Sequence, residues 1–97
     1  MKLYVIQECV NEILNGEVYG RSEKVSKNAF VTYDEALDCA RKMAIQFALN
    51  GWIVGYYEGI NSVNISIDTY NRYLKKTMVR MDAYYTICEV ELNLDIV

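Results

Sequence analysis

The chain has 97 residues, of which 53% are hydrophobic and 24% are charged, and its net charge is −3 at pH 7. This composition is typical of a globular protein and excludes a disordered chain, and no apolar run approaches the roughly 18 residues of a membrane span. The chain has no histidine and no proline, which excludes Ser-His or Cys-His nucleophilic sites and the usual histidine metal sites. We expect a single domain over residues 1–97 in the cytoplasm, because no signal peptide is visible.

The first half of the chain predicts a β-hairpin followed by a helix. Leu3 to Leu14 is apolar on both parities and predicts an interior strand covered on both sides. Asn15-Gly16 predicts a type I′ turn, after which a patchier strand returns over residues 17–31. Thr32 to Glu35 has the sequence of a capping box, and it opens a helix over residues 33–50 that Gly51 is expected to end.

The second half predicts three further elements. Trp52 to Glu58 and Ser62 to Ile67 are rich in β-branched and aromatic residues and predict strands, with Gly55 marking either a bulge or a close backbone approach. Residues 69–81 show helical spacing and predict a second, short helix, with a strand pair as the alternative. From Cys88 to Ile96, apolar and polar residues alternate. This pattern predicts a strand whose apolar face, which includes Cys88, is buried and whose acidic face is exposed to solvent.

The order of these elements predicts an α+β fold. A predominantly antiparallel sheet of about four to five strands would carry the 33–50 helix on one face. The three cysteines, Cys9, Cys39 and Cys88, form no C-x-x-C pair and lie in apolar stretches. They are therefore interpreted as unpaired core thiols in a reducing compartment, with no metal site.

The charge is unevenly distributed along the chain. Arg72, Lys75, Lys76 and Arg80 give residues 69–81 a local charge of +4 without one acidic residue, and the rest of the chain carries −7. A chain this acidic outside one segment is disfavoured as a nucleic-acid binder, because such affinity follows the number of neutralised phosphates. The basic segment is instead suited to an acidic protein surface or a bound anion.

Aromatic residues add a second candidate surface. The chain has nine tyrosines and one tryptophan, and exposed Tyr, Trp and Arg side chains are the residue types that dominate binding hot spots. The alternative interpretation is a solvated basic face with the tyrosines in the core. The candidate partner-binding residues are Trp52, Tyr56, Tyr70, Arg72, Tyr73, Lys75, Lys76 and Arg80.

Three stretches also carry a family resemblance. Lys2 to Glu8, Ala29 to Ala36 and Tyr84 to Leu92 together resemble small accessory proteins of phages and mobile elements. Anti-CRISPR and other anti-defence inhibitors belong to this group. The resemblance implies a ββα unit and a small, acidic, non-enzymatic inhibitor that acts in the host cytoplasm, and it assigns no role to any single residue.

These observations give one leading hypothesis and two alternatives. The leading hypothesis is a small cytoplasmic protein without a cofactor that binds a protein partner, and that inhibits a host defence complex. The first alternative is a nucleotide- or small-ligand-binding oligomer that stacks a base on tyrosines and holds phosphate with residues 72–80. The second is a metal-assisted hydrolase that uses Glu89 and Glu91. A protein partner is expected, a homodimer is compatible with the sequence, and no membrane partner is expected.

Overall fold

Two hairpins and a long closing strand form one antiparallel sheet in the computed structural model, which describes residues 1–70 and 78–92. The strands lie in the order β2-β1-β5-β4-β3. One helix packs on this sheet, so the predicted α+β fold is confirmed. The elements are β1 (Lys2–Leu14), β2 (Glu17–Val25), α1 (Tyr33–Ala48), β3 (Trp52–Gly59), β4 (Ser62–Tyr70) and β5 (Met78–Glu91).

The first hairpin turns where the sequence predicts it. Asn15 and Gly16 have φ values of 53° and 79°, and a type I′ turn needs positive φ at both positions. The returning strand is shorter than predicted, because β2 ends at Val25 rather than at residue 31. Beyond it, Phe30 forms an isolated bridge to Tyr4, with N···O distances of 2.7 and 2.8 Å.

Helix α1 begins as predicted and ends earlier. The Oγ1 atom of Thr32 accepts a hydrogen bond from the amide of Glu35 at 3.2 Å. The last helical residue is Ala48, and Gly51 does not adopt the left-handed conformation expected of it. Gly51 is required for another reason, because a Cβ at this position would collide with the carbonyl oxygen of Asp68. The chain therefore enters β3 by passing close to β4.

The core lies between α1 and one face of the sheet. The helix presents four alanines at intervals of four residues, Ala36, Ala40, Ala44 and Ala48, and all four are buried. It contacts β4, β5 and β1, whose buried side chains include Ile6, Val63, Ile67, Ala83 and Tyr85. Small helix residues allow close approach to the sheet, so the strands supply most of the apolar bulk.

The second half of the chain differs from the predictions in two places. Thr69 and Tyr70 belong to β4 and Met78 to Met81 belong to β5, so the strand alternative holds there and the predicted helix does not. Residues 71–77 and 93–97 lie outside the described residues. The prediction that the Cys88 face of the last strand is buried is also wrong. Ile87 is buried against the helix side, and Cys88 therefore points to the opposite face.

Strand β1 shows the same one-sided cover. It lies between β2 and β5, as an interior strand should, but α1 covers only the face that carries Ile6 and Val10. Cys9 lies on the opposite face. All three cysteines are unpaired and half-buried, so their full burial was predicted wrongly. Helix α1, the helix of the described residues, is not long and apolar enough to cross a membrane.

Candidate functional site

The sheet face opposite α1, here called the uncovered face, has no helix over it in the described part of the chain. Strand alternation places every second residue of the strands on this face, including Asn64 of β4 and Tyr84 of β5, which are register partners. Several of its aromatic and apolar side chains are exposed: Trp52, Tyr57, Tyr70, Met78, Tyr84 and Val90. An uncovered sheet face with this content is suited to contact with another molecule.

One end of the uncovered face gathers an aromatic pair and an ion pair. Trp52 on β3 and Tyr70 on β4 pack edge to face, with ring centroids 5.7 Å apart and planes at 85°. Asp68 is the register partner of both Trp52 and Arg80. We call Trp52, Asp68, Tyr70 and Arg80 the Trp52 cluster. The two rings remain 59% and 55% exposed, so their edge-to-face contact leaves most of their surface free.

The arginine of this cluster is fixed by a short ion pair. Its Nε atom donates to Oδ1 of Asp68 at 2.6 Å. This hydrogen bond is the main cause that raises the pKa of Arg80 above its ordinary value. The guanidinium is therefore held against Asp68, the residue between Trp52 and Arg80 in the strand register. Part of the +4 charge of residues 69–81 is neutralised by this acid, which immediately precedes them.

The structure places the candidate residues in separate regions. Trp52, Tyr70 and Arg80 lie together in the Trp52 cluster. Tyr56 points to the helix side of β3, where Arg41 donates to Glu58 at 2.6 Å. Burial is the main cause that raises the pKa of the Tyr56 hydroxyl. The remaining candidates, Arg72, Tyr73, Lys75 and Lys76, lie outside the described residues.

A groove of about 460 Å³ lies on the helix side, between α1 and the β1–β2 hairpin. It is lined by Glu8, whose side chain is 16% exposed and whose carboxylate lies 3.4 Å from Nζ of Lys24. Tyr85 borders the same groove. Burial raises the pKa of its hydroxyl, and the neighbouring carboxylate of Glu8 acts in the same direction. Glu12 also lines the groove, so its walls carry two carboxylates and one ammonium group.

The two acidic residues of the hydrolase hypothesis are paired with cations of the first two residues of the chain. Glu89 lies 3.1 Å from Nζ of Lys2, and Glu91 lies 3.3 Å from the amino group of Met1. Within the described residues, no three acidic or cysteine side chains are placed to hold a metal ion. Glu89 and Glu91 therefore form ordinary surface ion pairs.

Sequence reasoning missed two features of these sites. Asp68 was omitted as the partner of Arg80, although antiparallel pairing of the strands around residues 71–77 would have placed the two opposite each other. The groove was also missed. The sequence of β1 could have indicated it, because Glu8 and Glu12 lie on the same face of the strand as the buried Ile6 and Val10.

Comparisons with known proteins give no relative of this chain. No family model, curated protein or solved structure matches it.

Proposed function

We propose that this protein is a non-enzymatic binding protein that captures a protein partner on the uncovered face of its sheet. The observation that carries the proposal is the Trp52 cluster, in which Trp52 and Tyr70 are more than half exposed beside an anchored arginine. Tryptophan, tyrosine and arginine are the residues most enriched in binding hot spots. Following the sequence resemblance, we further propose that the partner is a host defence complex and that binding inhibits it.

The chemistry of the Trp52 cluster favours a protein over a nucleic acid. Its arginine is already paired with Asp68, and nucleic-acid affinity depends on cations that are free to neutralise phosphates. The neighbouring Asp82 is the register partner of Ser66 on the same face and adds negative charge. Aromatic rings and a rigid guanidinium beside polar strand residues match the apolar centre and polar rim of a protein interface.

Two buried amide oxygens on the uncovered face also support a partner there. The Oδ1 atoms of Asn11 and Asn64 are shielded from solvent and accept no hydrogen bond from the described residues. A buried acceptor without a donor costs free energy. If these amides turn outward to accept donors from a partner, that cost is removed, which gives the face a polar component of recognition beside its aromatic one.

The helix-side groove is less suited to the nucleotide alternative. Its volume of about 460 Å³ is in the range of small-molecule sites. However, Glu8 and Glu12 outnumber Lys24, so the groove repels a phosphate group. A nucleotide would therefore need residues 72–77 for its phosphates, and the described part of the chain gives no argument for that arrangement.

The proposal is tested by measuring partner capture with matched variants. The chain is immobilised, exposed to lysate of bacterial cells that express a CRISPR defence complex, and the retained proteins are identified and titrated. Trp52→Ala should weaken capture about 30-fold, which corresponds to the roughly 2 kcal/mol expected of a hot-spot residue. Val31→Ala is the control, because Val31 is 67% exposed in the connection before α1. It should leave capture unchanged.

Two results would contradict this assignment. The first is equal capture by Trp52→Ala and by the unchanged chain, which would remove the Trp52 cluster from the interface. The second is retention of a protein unrelated to defence, which would keep the binding function and overturn the inhibitor proposal.

A further inference from the structure

The two edges of the sheet differ in how they are protected against pairing. Unpaired strand edges offer free backbone N–H and C=O groups, and natural proteins protect them with charges, prolines or covering segments. Edge strand β2 carries Arg21, Glu23 and Lys24 within nine residues. Edge strand β3 has the sequence WIVGYYEG, with no basic residue, and its one acid, Glu58, is paired with Arg41 of the same chain.

Strand β3 is also exposed along its apolar length. Ile53, Val54, Tyr56 and Tyr57 are between 45% and 67% exposed, and Ile60 in the following turn is 94% exposed. A single exposed apolar residue needs no explanation. Five of them along an edge that residues 1–70 and 78–92 leave unprotected are the pattern of a surface that is covered in the working state of the protein.

The register of the β3–β4 hairpin shows which backbone groups of β3 have no strand partner among the described residues. The turn has two residues, so Gly59 and Ser62 form the hydrogen-bonded pair that closes it. Alternation along the strand then directs the N–H and C=O groups of Tyr57 to β4. Those of Tyr56 and Glu58 point to the free edge. The stretch from Gly55 to Gly59 is regular, because the register shift lies before it, between Ile53 and Gly55.

We infer that the free edge of β3 pairs antiparallel with β3 of a second copy of this chain, with the two-fold axis at Tyr57. In this register Tyr56 of each copy exchanges two backbone hydrogen bonds with Glu58 of the other, giving four in total. The two Tyr57 rings meet at the axis on the uncovered face as a cross-strand aromatic pair. The result is a continuous ten-stranded sheet with both helices on the same side.

Like-charge repulsion disfavours the neighbouring register that is centred on Glu58. Each Glu58 lies opposite a Tyr56, whose hydroxyl is neutral, on the helix side of the sheet. A register shifted to bring Glu58 opposite Glu58 would place like charges directly across the strands, which is unfavourable. In the proposed register, Ile60 at the turn also approaches Val54 of the second copy, so the most exposed isoleucine of the chain gains an apolar neighbour.

The area involved sets the expected strength of the dimer. Five side chains, each contributing about 100 Å², give roughly 500 Å² per copy and about 1,000 Å² in total. This is at the lower limit of specific interfaces. We therefore expect a concentration-dependent dimer with a dissociation constant in the micromolar range, rather than an obligate one.

The first test is a cross-linking experiment at the axis. Opposed residues of a non-hydrogen-bonded pair have Cα atoms about 4.5 Å apart, within the range of a disulfide. Tyr57→Cys should form a disulfide-linked dimer under oxidised glutathione at least tenfold faster than Tyr70→Cys, a matched control that is 55% exposed on the uncovered face. The unchanged chain measures the background from Cys9, Cys39 and Cys88. Equal rates for the two variants would overturn the inference.

The second test removes the free donor of β3 without touching its bonds to β4. Tyr56→Pro should leave a folded chain that sediments as a monomer at 100 µM, where the unchanged chain sediments as a dimer. Glu23→Pro is the matched control on β2. Ser26 donates to Ile6 at 2.8 Å, so alternation directs the amide of Glu23 outward as well. The control should remain dimeric, and a dimer of Tyr56→Pro or a monomer of the unchanged chain at this concentration would overturn the inference.

The proposed dimer and the proposed partner capture can be contradicted independently of each other. Trp52 and Tyr70 lie on the uncovered face, whereas the β3 edge supplies backbone groups, so Tyr56→Pro should retain partner capture. If the unchanged chain is monomeric and Tyr56→Pro loses the partner, the edge takes a strand of the partner instead. That result would overturn self-pairing while leaving the binding function in place.

Discussion

Thr32 shows how much one side chain contributes at the start of α1. Its φ and ψ values of −119° and 151° are those of an N-cap, and its hydroxyl accepts from the amide of Glu35. Thr32→Ala should therefore lower the free energy of unfolding by about 0.5–2 kcal/mol, because an amide at the helix terminus loses its acceptor. Urea unfolding followed by circular dichroism measures this change.

The matched control is Thr32→Ser, which keeps the accepting oxygen. It should remain within a few tenths of a kcal/mol of the unchanged chain. If Ala and Ser are equally stable at this position, the hydroxyl does not cap the helix and α1 begins elsewhere.

Single residues were also where sequence reasoning was most often incomplete. The capping sequence predicted a reciprocal pair, and the structure forms the bond to Thr32 Oγ1 without the return bond from the Glu35 carboxylate. Gly51 was assigned to a left-handed position, while its actual role is to avoid the carbonyl of Asp68. Close approach of this kind depends on how β3 and β4 meet, and no local pattern contains that information.

At the scale of elements, the alanine row of α1 decides how near the helix lies to the sheet. Ala36, Ala40 and Ala44 are fully buried. Ala44→Leu should lower the free energy of unfolding by about 1–3 kcal/mol, because added methylenes force the helix away from β4 and β5. The urea midpoint measures the loss.

The neighbouring residue gives a matched control for this prediction. Ile45 is 63% exposed, so Ile45→Leu changes the shape of a side chain of the same volume outside the core. It should stay within about 0.5 kcal/mol of the unchanged chain. Equal stability of Ala44→Leu would show that the interface has room that the close helix–sheet contact does not indicate.

Elements were predicted more reliably than the faces they present. The hairpin turn at Asn15-Gly16, the bulge near Gly55 and the start of α1 follow from local backbone chemistry and were found as expected. The parity of β5 was not. Residues 88–96 alternate well by themselves, but the buried row is set upstream by Ala83, Tyr85 and Ile87. Where a strand extends beyond the helix that covers it, the apolar residues of the extension need not lie on the face that the helix buries.

At the scale of the whole molecule, the one helix of the described residues covers three strands of a five-stranded sheet, and this imbalance accounts for the sites described above. Strand β2 extends beyond α1 and leaves the helix-side groove. In the part of the chain that the structure describes, no helix covers the opposite face, and β3 is left as an apolar edge. The residue types alone indicated Trp52, Tyr70 and Arg80 as separate candidates for binding. Because these residues are distant in sequence, only the strand order brings them together.

The stability of the whole molecule should fall as the solution becomes alkaline. Burial is the main cause that raises the pKa values of Tyr84 and Tyr85, with the Glu8 carboxylate adding to the effect on Tyr85. A group whose pKa is higher when folded keeps its stabilising effect below its unfolded pKa, near 10 for tyrosine, and loses it as the pH rises through the folded value. Above about pH 10 the unfolded chain releases protons that the folded chain retains.

Urea unfolding at pH 8, 10 and 11 measures this linkage. The free energy of unfolding should change little from pH 8 to pH 10 on account of the tyrosines and should fall beyond pH 10, with a slope of at most about 1.4 kcal/mol per pH unit for each proton retained. Tyr85→Phe removes the hydroxyl that faces Glu8 and should flatten the fall above pH 10. A slope that is the same in Tyr85→Phe and in the unchanged chain would show that the buried hydroxyl is not the group that links folding to alkaline pH.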